Sequence, residues 1–197
     1  MATPQSVPLN IGVLSSLFKT AEQADLYRYV ALTAALLLFH YTLTGFIAAG
    51  SMRSKIFTEE FMTTNFKEEH EKAFPEGRQR GLPKGGYPDM GSGRYIEKAT
   101  YKQWYEFNVG QRIHYHYLES ITCVISWLLI AGLEYPEASI ALGAGYGLGR
   151  LIFHIGYATK GPKGRTVGFL LQGLTSIALA ILSFVSVITI AKRSTPI

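Results

Sequence analysis

Four long apolar segments constrain the fold of this chain more than anything else in its sequence. They cover residues 27–50, 113–133, 138–158 and 166–191. An α-helix rises about 1.5 Å per residue, so about 20 residues cross the roughly 30 Å hydrocarbon layer of a bilayer. A composition that is 48% hydrophobic and 17% charged is also rich for a water-soluble domain. We therefore predict an all-α integral membrane protein, a bundle of four transmembrane helices.

Polar residues recur at helical spacing within or beside the second and third segments. In the second, the residues that share one helix face are Arg112, His116 and Glu119. In the third, the same spacing recurs in Arg150, Phe153, His154 and Tyr157. A charge at the centre of the membrane costs about 2.5–3.5 kcal/mol, and lipid cannot solvate it. Both faces should therefore turn toward each other, toward another subunit or toward a water-filled cleft.

Residues 51–107, between the first two segments, form a long charged connection. Glycine and proline recur in it, and it is too polar to cross the bilayer. Apolar residues spaced among its charges predict a surface helix from Glu59 to Phe74. Its many aromatic residues exclude disorder. We expect this extramembrane loop to be ordered against the membrane face or against a partner.

The two ends of the chain are predicted to be tails, at residues 1–26 and 192–197, flanking a membrane domain at 27–191. The first tail lacks the apolar core and cleavage site of a secretory signal, so we expect it to be retained, either as an interfacial helix over residues 11–18 or packed on neighbouring helices. Basic residues between the third and fourth segments place that turn, with the long loop, on the cytosolic or matrix side.

Several other classes of function are excluded by composition. The net charge is +5, but acidic and basic residues alternate in the long loop, and no basic stripe carries stacking aromatics, so we predict no nucleic-acid partner. The single Cys123 excludes an internal disulfide, and no metal-ligand cluster is present, so no metal is predicted. The glycines of the third segment form small-x-x-x-small pairs, Gly143 with Gly147 and Gly145 with Gly149, which favour close helix packing.

Five short motifs follow one another in a recognisable order. They are Gln111-Arg112-x-His114-Tyr115-x-x-x-Glu119, Ala131-Gly132-Leu133-x-Tyr135-Pro136, Leu142-Gly143 through Gly149-Arg150, Gly156-Tyr157, and the basic turn that ends at Arg165. This pattern resembles the MAPEG family, the membrane-associated proteins in eicosanoid and glutathione metabolism, which includes the microsomal glutathione transferases. The resemblance implies a homotrimer in contact with membrane lipids, with glutathione bound between adjacent subunits.

The resemblance also implies roles for individual residues. Arg165 would be the catalytic residue that holds the glutathione sulfur as thiolate, which is the nucleophilic form. The predicted glutathione-binding residues are Arg53, Arg112, His116, Glu119, Arg150 and Tyr157. For Arg53 and its neighbour Lys55 an alternative stays open, because basic residues after a membrane helix also anchor it at the headgroups.

Three positions depart from the family pattern. His116 stands where the family usually has Asn, Ser120 where it commonly has Tyr, and Phe153 where it has a Tyr that faces the ligand. Each lost hydroxyl leaves a ligand group without its partner, at about 1–3 kcal/mol. Two functions are therefore predicted, first a membrane-bound glutathione transferase or peroxidase acting on lipophilic electrophiles or hydroperoxides. The alternative is a catalytically silent structural subunit of a large membrane complex, such as a mitochondrial respiratory complex. The expected location is the endoplasmic reticulum or a mitochondrial membrane.

Overall fold

The computed structural model describes residues 18–75 and 81–194, which contain helices and no β-strand. The elements in chain order are α1 (Ala21–Thr44), a π-helix (Gly45–Gly50), α2 (Ser51–Ile56), α3 (Glu59–Ala73), 3-10 turns at Lys84–Gly86 and Ile96–Lys98, α4 (Tyr101–Gly132), α5 (Pro136–Gly164) and α6 (Thr166–Ser194). The predicted all-α class is confirmed. The interfacial helix predicted for residues 11–18 lies almost entirely outside the described residues.

Three helices in the described part of the chain are long and apolar enough to cross a membrane. They are Ala21–Ile56, Pro136–Gly164 and Thr166–Arg193, which confirms a membrane protein. The predicted fourth crossing rests on α4, whose 32 residues reach about 48 Å but include charged side chains along the N-terminal two thirds. Pro136 begins α5, as the sequence predicts for a proline that cannot continue the preceding helix.

Of the described residues, the first of two compact units contains 18–37, Thr122–Gly147 and 172–194. Its helices approach closely where residues are small. A Cβ built on Gly143 would lie 2.8 Å from Thr33, and one on Gly147 would lie 3.0 Å from Leu37. The predicted packing role of these glycines is confirmed. At the turn before α5, Glu134 is buried and pairs with Arg193 at 2.8 Å.

The second unit contains Leu38–Ile121 and Leu148–Leu171, and with them every predicted site residue. The part predicted to be extramembrane has its own hydrophobic core, formed by Ile56, Phe57, Met62, Phe66, Ile96 and Phe107. The hydroxyl of Thr58 accepts a hydrogen bond from the backbone N–H of Phe61 and so caps α3. A helix begins at Glu59, as predicted, and described residues on both sides of 76–80 pack together in this core.

Asp89 organises the second half of this loop. It is buried, and its carboxylate accepts hydrogen bonds from the backbone N–H groups of Gly91, Gly93 and Ile96 at 2.8, 3.0 and 2.8 Å. Burial alone would raise the pKa of Asp89, but the backbone donors outweigh it and hold that pKa below its ordinary value. The charged carboxylate therefore fixes the fold of residues 89–96.

Candidate functional site

Arg150 lies at the centre of the polar residues in the second unit. Its side chain is 1% exposed and reaches from α5 to α4. One terminal nitrogen donates to the carbonyl oxygen of Ile113 at 2.9 Å, and the other lies 2.8 Å from Nδ1 of His116. The guanidinium carbon stands 4.2 Å from the ring centre of Tyr117 and 4.8 Å from that of Phe153. Both terminal nitrogens of this buried cation are engaged and its charge lies against two aromatic rings, which offsets part of the cost of burying it.

His116 is the acceptor for this arginine. A guanidinium can only donate, so Nδ1 of His116 accepts and the ring proton lies on Nε2. The imidazole stacks on Phe153 with ring centres 4.8 Å apart, and Phe169 meets it edge-on at 5.7 Å. An Asn at position 116 could not stack in this way. Two of the three positions predicted to depart from the family pattern, 116 and 153, thus contact each other.

Tyr157 and Arg165 continue the same group toward the end of α5. Phe153 is fully buried and meets Tyr157 edge-on at 5.7 Å, and the guanidinium carbon of Arg165 lies 5.1 Å above the Tyr157 ring. Arg150, His116, Tyr157 and Arg165 are therefore brought together, as predicted. The third departure, Ser120, donates its hydroxyl to backbone carbonyls of its own helix, at His116 and Tyr117.

Arg112 and Glu119 form a separate patch on α4. They pair with each other at 2.8 Å, and their side chains are 45% and 55% exposed on the single chain. They share one helix face, as the spacing predicts. An exposed pair of this kind contributes about 0–1 kcal/mol. The patch is thus a polar surface that a neighbouring molecule can cover.

Arg53 is directed into the long loop. It is 5% exposed and donates to the carbonyl oxygens of Gly85 at 3.0 Å and Asp89 at 2.6 Å. Its guanidinium carbon lies 4.0 Å from the ring centre of Tyr87. Lys55, in contrast, is exposed and pairs with Glu106 at 3.5 Å. The structure thus adds a third role for Arg53, which is to hold the loop against the end of the first membrane helix.

A cavity of about 660 Å³ lies between the first membrane helix, α4 and α5, and we call it the lysine cleft. It was not foreseen from the sequence, although residues 102, 106, 109 and 113 recur at helical spacing and supply one of its walls. Tyr157 is the predicted site residue that lines it. Its lining is Ile47, Ala48, Met52, Lys55, Lys102, Tyr105, Glu106, Val109, Gly110, Ile113, His154, Tyr157, Ala158, Thr159, Lys160 and Gly161.

Two glycines determine the walls of the lysine cleft. A Cβ on Gly110 would lie 2.7 Å from the carbonyl oxygen of Ala48, so only glycine lets α4 approach the π-helix this closely. Gly161 has φ 65° and ψ −153°, a conformation that interrupts the helix before Pro162. A Cβ there would also lie 2.8 Å from the hydroxyl of Tyr105. The turn at Gly161 directs the chain on to Arg165.

Comparison with known proteins identifies the family of the chain. The family model described as the MAPEG family matches residues 28–185, which is well over half of the chain and includes every site residue described above. No curated protein and no solved structure matches the chain. On the extent of the family match, this chain belongs to the MAPEG family.

Proposed function

We propose that this protein is a catalytically silent MAPEG subunit, in which polar residues of the ancestral site hold the helices of the chain together. The observation that carries the proposal is Arg150, which is 1% exposed and directs its terminal nitrogens to Ile113 and His116 of the same chain. From the sequence alone, the glutathione transferase or peroxidase was the first prediction and the silent subunit was the alternative. The internal contacts of Arg150 favour the reverse order.

The fit of glutathione to these residues is incomplete. Glutathione presents two carboxylates and an amine, and a binding site must direct donors and a carboxylate toward them. Arg53 and Arg150 are both at least 95% buried and donate to groups of the chain itself. Phe153 has no hydroxyl, and Ser120 bonds to its own backbone. Five predicted contacts on exposed or partly exposed side chains remain, those of Arg112, His116, Glu119, Tyr157 and Arg165.

A glutathione transferase or peroxidase is the second candidate, and one observation favours it. The Arg112–Glu119 patch is exposed, and Arg165 lies over Tyr157. In a trimer, the Arg112–Glu119 patch of one subunit and the Tyr157–Arg165 pair of the adjacent subunit would together form one glutathione site. Arg165 would then stabilise the thiolate that attacks an electrophile or a hydroperoxide.

The proposed setting is a bundle of four membrane helices in which α4 is the additional crossing, with both ends of the chain on one side. Its length of 32 residues and the exposure of Leu118 support a lipid-facing helix. We propose that the subunit assembles either as a homotrimer or within a larger membrane complex, in the endoplasmic reticulum or a mitochondrial membrane. The folded loop, which exposes Tyr87, Tyr101 and Trp104, is a surface for such a partner.

The test is the thiolate absorbance of glutathione bound to the purified protein. We expect no thiolate signal at millimolar glutathione in wild type, because the donors of Arg53 and Arg150 are used within the chain. The double variant Ser120→Tyr, Phe153→Tyr restores both hydroxyls and is the gain-of-binding arm. Lys163→Ala controls for removal of a positive charge from the turn. A wild-type signal that disappears in Arg165→Ala and persists in Lys163→Ala would refute the silent subunit and establish the enzyme.

A further inference from the structure

The lysine cleft combines an apolar wall with a charged rim. Ile47, Ala48, Val109 and Ile113 supply aliphatic surface from the first membrane helix and from α4. At about 660 Å³ the cavity falls within the range of about 300–1,000 Å³ that is usual for small-molecule sites. Neither Arg112 nor Glu119 lines it, so the cleft is distinct from the exposed patch of the predicted glutathione site.

The rim carries more positive than negative charge. Three ammonium groups, those of Lys55, Lys102 and Lys160, line the cleft beside a single carboxylate, that of Glu106. Glu106 lies 3.5 Å from Lys55 and 3.9 Å from Lys102, so it is shared between two lysines. Lys160 forms no ion pair with any carboxylate of residues 18–75 and 81–194. The cleft therefore attracts an anion, and Glu106 opposes that attraction.

The position of the lysines at the ends of helices indicates which kind of anion the cleft would bind. Lys160 lies near the end of Pro136–Gly164, one of the helices long and apolar enough to cross the membrane. Lysines at the end of a membrane helix stand at the level of the lipid headgroups. Aliphatic residues of the first membrane helix and of α4 line the same cleft as these lysines. A ligand that matches both parts is an anionic amphiphile oriented like a membrane lipid.

We propose that the lysine cleft binds an anionic phospholipid, with its phosphate at Lys55, Lys102 and Lys160 and one acyl chain along Val109 and Ile113. Basic pockets between membrane helices are suited to anionic headgroups. A small soluble anion would leave the apolar wall exposed, and a zwitterionic lipid would leave the excess positive charge uncompensated. Tyr105 and Tyr157 also line the cleft, and a tyrosine hydroxyl can donate to a phosphate oxygen. Tyr157 is shared with the predicted glutathione site, but the three lysines that would hold the phosphate are not among the predicted glutathione-binding residues.

The test is lipid retention by the purified full chain in detergent, measured by native mass spectrometry. The probes are phosphatidylglycerol and phosphatidylcholine with identical acyl chains, added in equal amounts at low ionic strength. We expect one phosphatidylglycerol to be retained in preference. Lys160→Gln should lower its affinity about fivefold, and Lys102→Gln with Lys160→Gln about 25-fold, at about 1 kcal/mol per lysine.

Two further variants make the test independent of folding defects. Lys163→Gln removes the same charge from the same turn but lies outside the lysine cleft, so retention should stay at the wild-type level. Glu106→Gln removes the competing carboxylate and should raise affinity, which a damaged protein would not do.

Three results would overturn the proposal. They are equal retention of the two phospholipids, equal losses in Lys160→Gln and Lys163→Gln, and displacement of phosphatidylglycerol by equimolar sodium oleate. The last would assign the cleft to a single-chain carboxylate.

Discussion

Replacing Arg150 by alanine should destabilise the protein by about 3 kcal/mol. The side chain makes two hydrogen bonds from a charged donor, worth about 1.5–3 kcal/mol each, and its loss leaves Nδ1 of His116 without a donor. The rings of Tyr117 and Phe153 lose their contact with the cation as well. Removing a buried charge also relieves its desolvation. Because the remaining partners are neutral, we place the net loss at the low end of the roughly 3–5 kcal/mol typical of a broken buried pair.

The assay is thermal unfolding of the purified protein in detergent, followed by tryptophan fluorescence. For a chain of this length, about 1 kcal/mol corresponds to about 2–4 °C, so Arg150→Ala should lower the midpoint by about 6–12 °C. Arg112→Ala is the matched control, since it removes the same type of side chain from a pair that is 45% and 55% exposed. The control should change the midpoint by no more than about 4 °C.

Equal shifts in the two variants would refute this reasoning, because they would mean that the buried contacts of Arg150 stabilise the fold no more than an exposed ion pair does. A glutathione-dependent rise in the wild-type midpoint that Arg150→Ala abolishes would also contradict a purely structural Arg150.

Three further predictions concern the loop and the helix contacts. Asp89 has a folded pKa below its ordinary 3.8, so its stabilising effect is complete above about pH 4 and is lost as the pH falls through the folded value. Hydrogen exchange of residues 84–98, corrected for intrinsic rates, should show this loss in wild type and little pH dependence in Asp89→Asn. Arg53→Lys should increase the hydrogen exchange of the same residues at pH 7. A single ammonium group cannot replace the two guanidinium nitrogens that donate to the carbonyl oxygens of Gly85 and Asp89. Gly110→Leu should lower the unfolding midpoint more than Gly173→Leu, because a Cβ at 110 meets Ala48 at 2.7 Å and one at 173 meets nothing within 4 Å.

The sequence predicted the helices well because apolar composition and 3.6-residue spacing are local properties. The loop was predicted to continue to residue 107, whereas α4 begins at Tyr101. A local signal for it was present, since Thr100 and Gln103 form a capping box: Gln103 N–H donates to the Thr100 hydroxyl at 3.3 Å, and Thr100 N–H donates to the Gln103 side chain at 2.9 Å. Hydropathy alone does not detect such a cap.

The partners of the site residues could not be predicted in the same way. Helical spacing places Arg112, His116 and Glu119 on one face, but the contact between His116 and Arg150 depends on how α4 and α5 are rotated about their axes. Arg53 was expected at glutathione or at the headgroups, and its acceptors are 32 and 36 residues further along the chain. The lysine cleft needs side chains from three separate helical segments at once. Long-range contacts of this kind are set by tertiary packing.

The hydrogen bonds of Arg53 connect the loop to the first membrane helix. Arg53 belongs to the continuous helical stretch Ala21–Ile56, and its guanidinium grips the loop at Gly85 and Asp89. If a protein bound to the loop displaced it, the first membrane helix would be affected through the two hydrogen bonds of Arg53 as well as through the covalent chain. A displacement of residues 85–89 would therefore also displace the end of the Ala21–Ile56 helix.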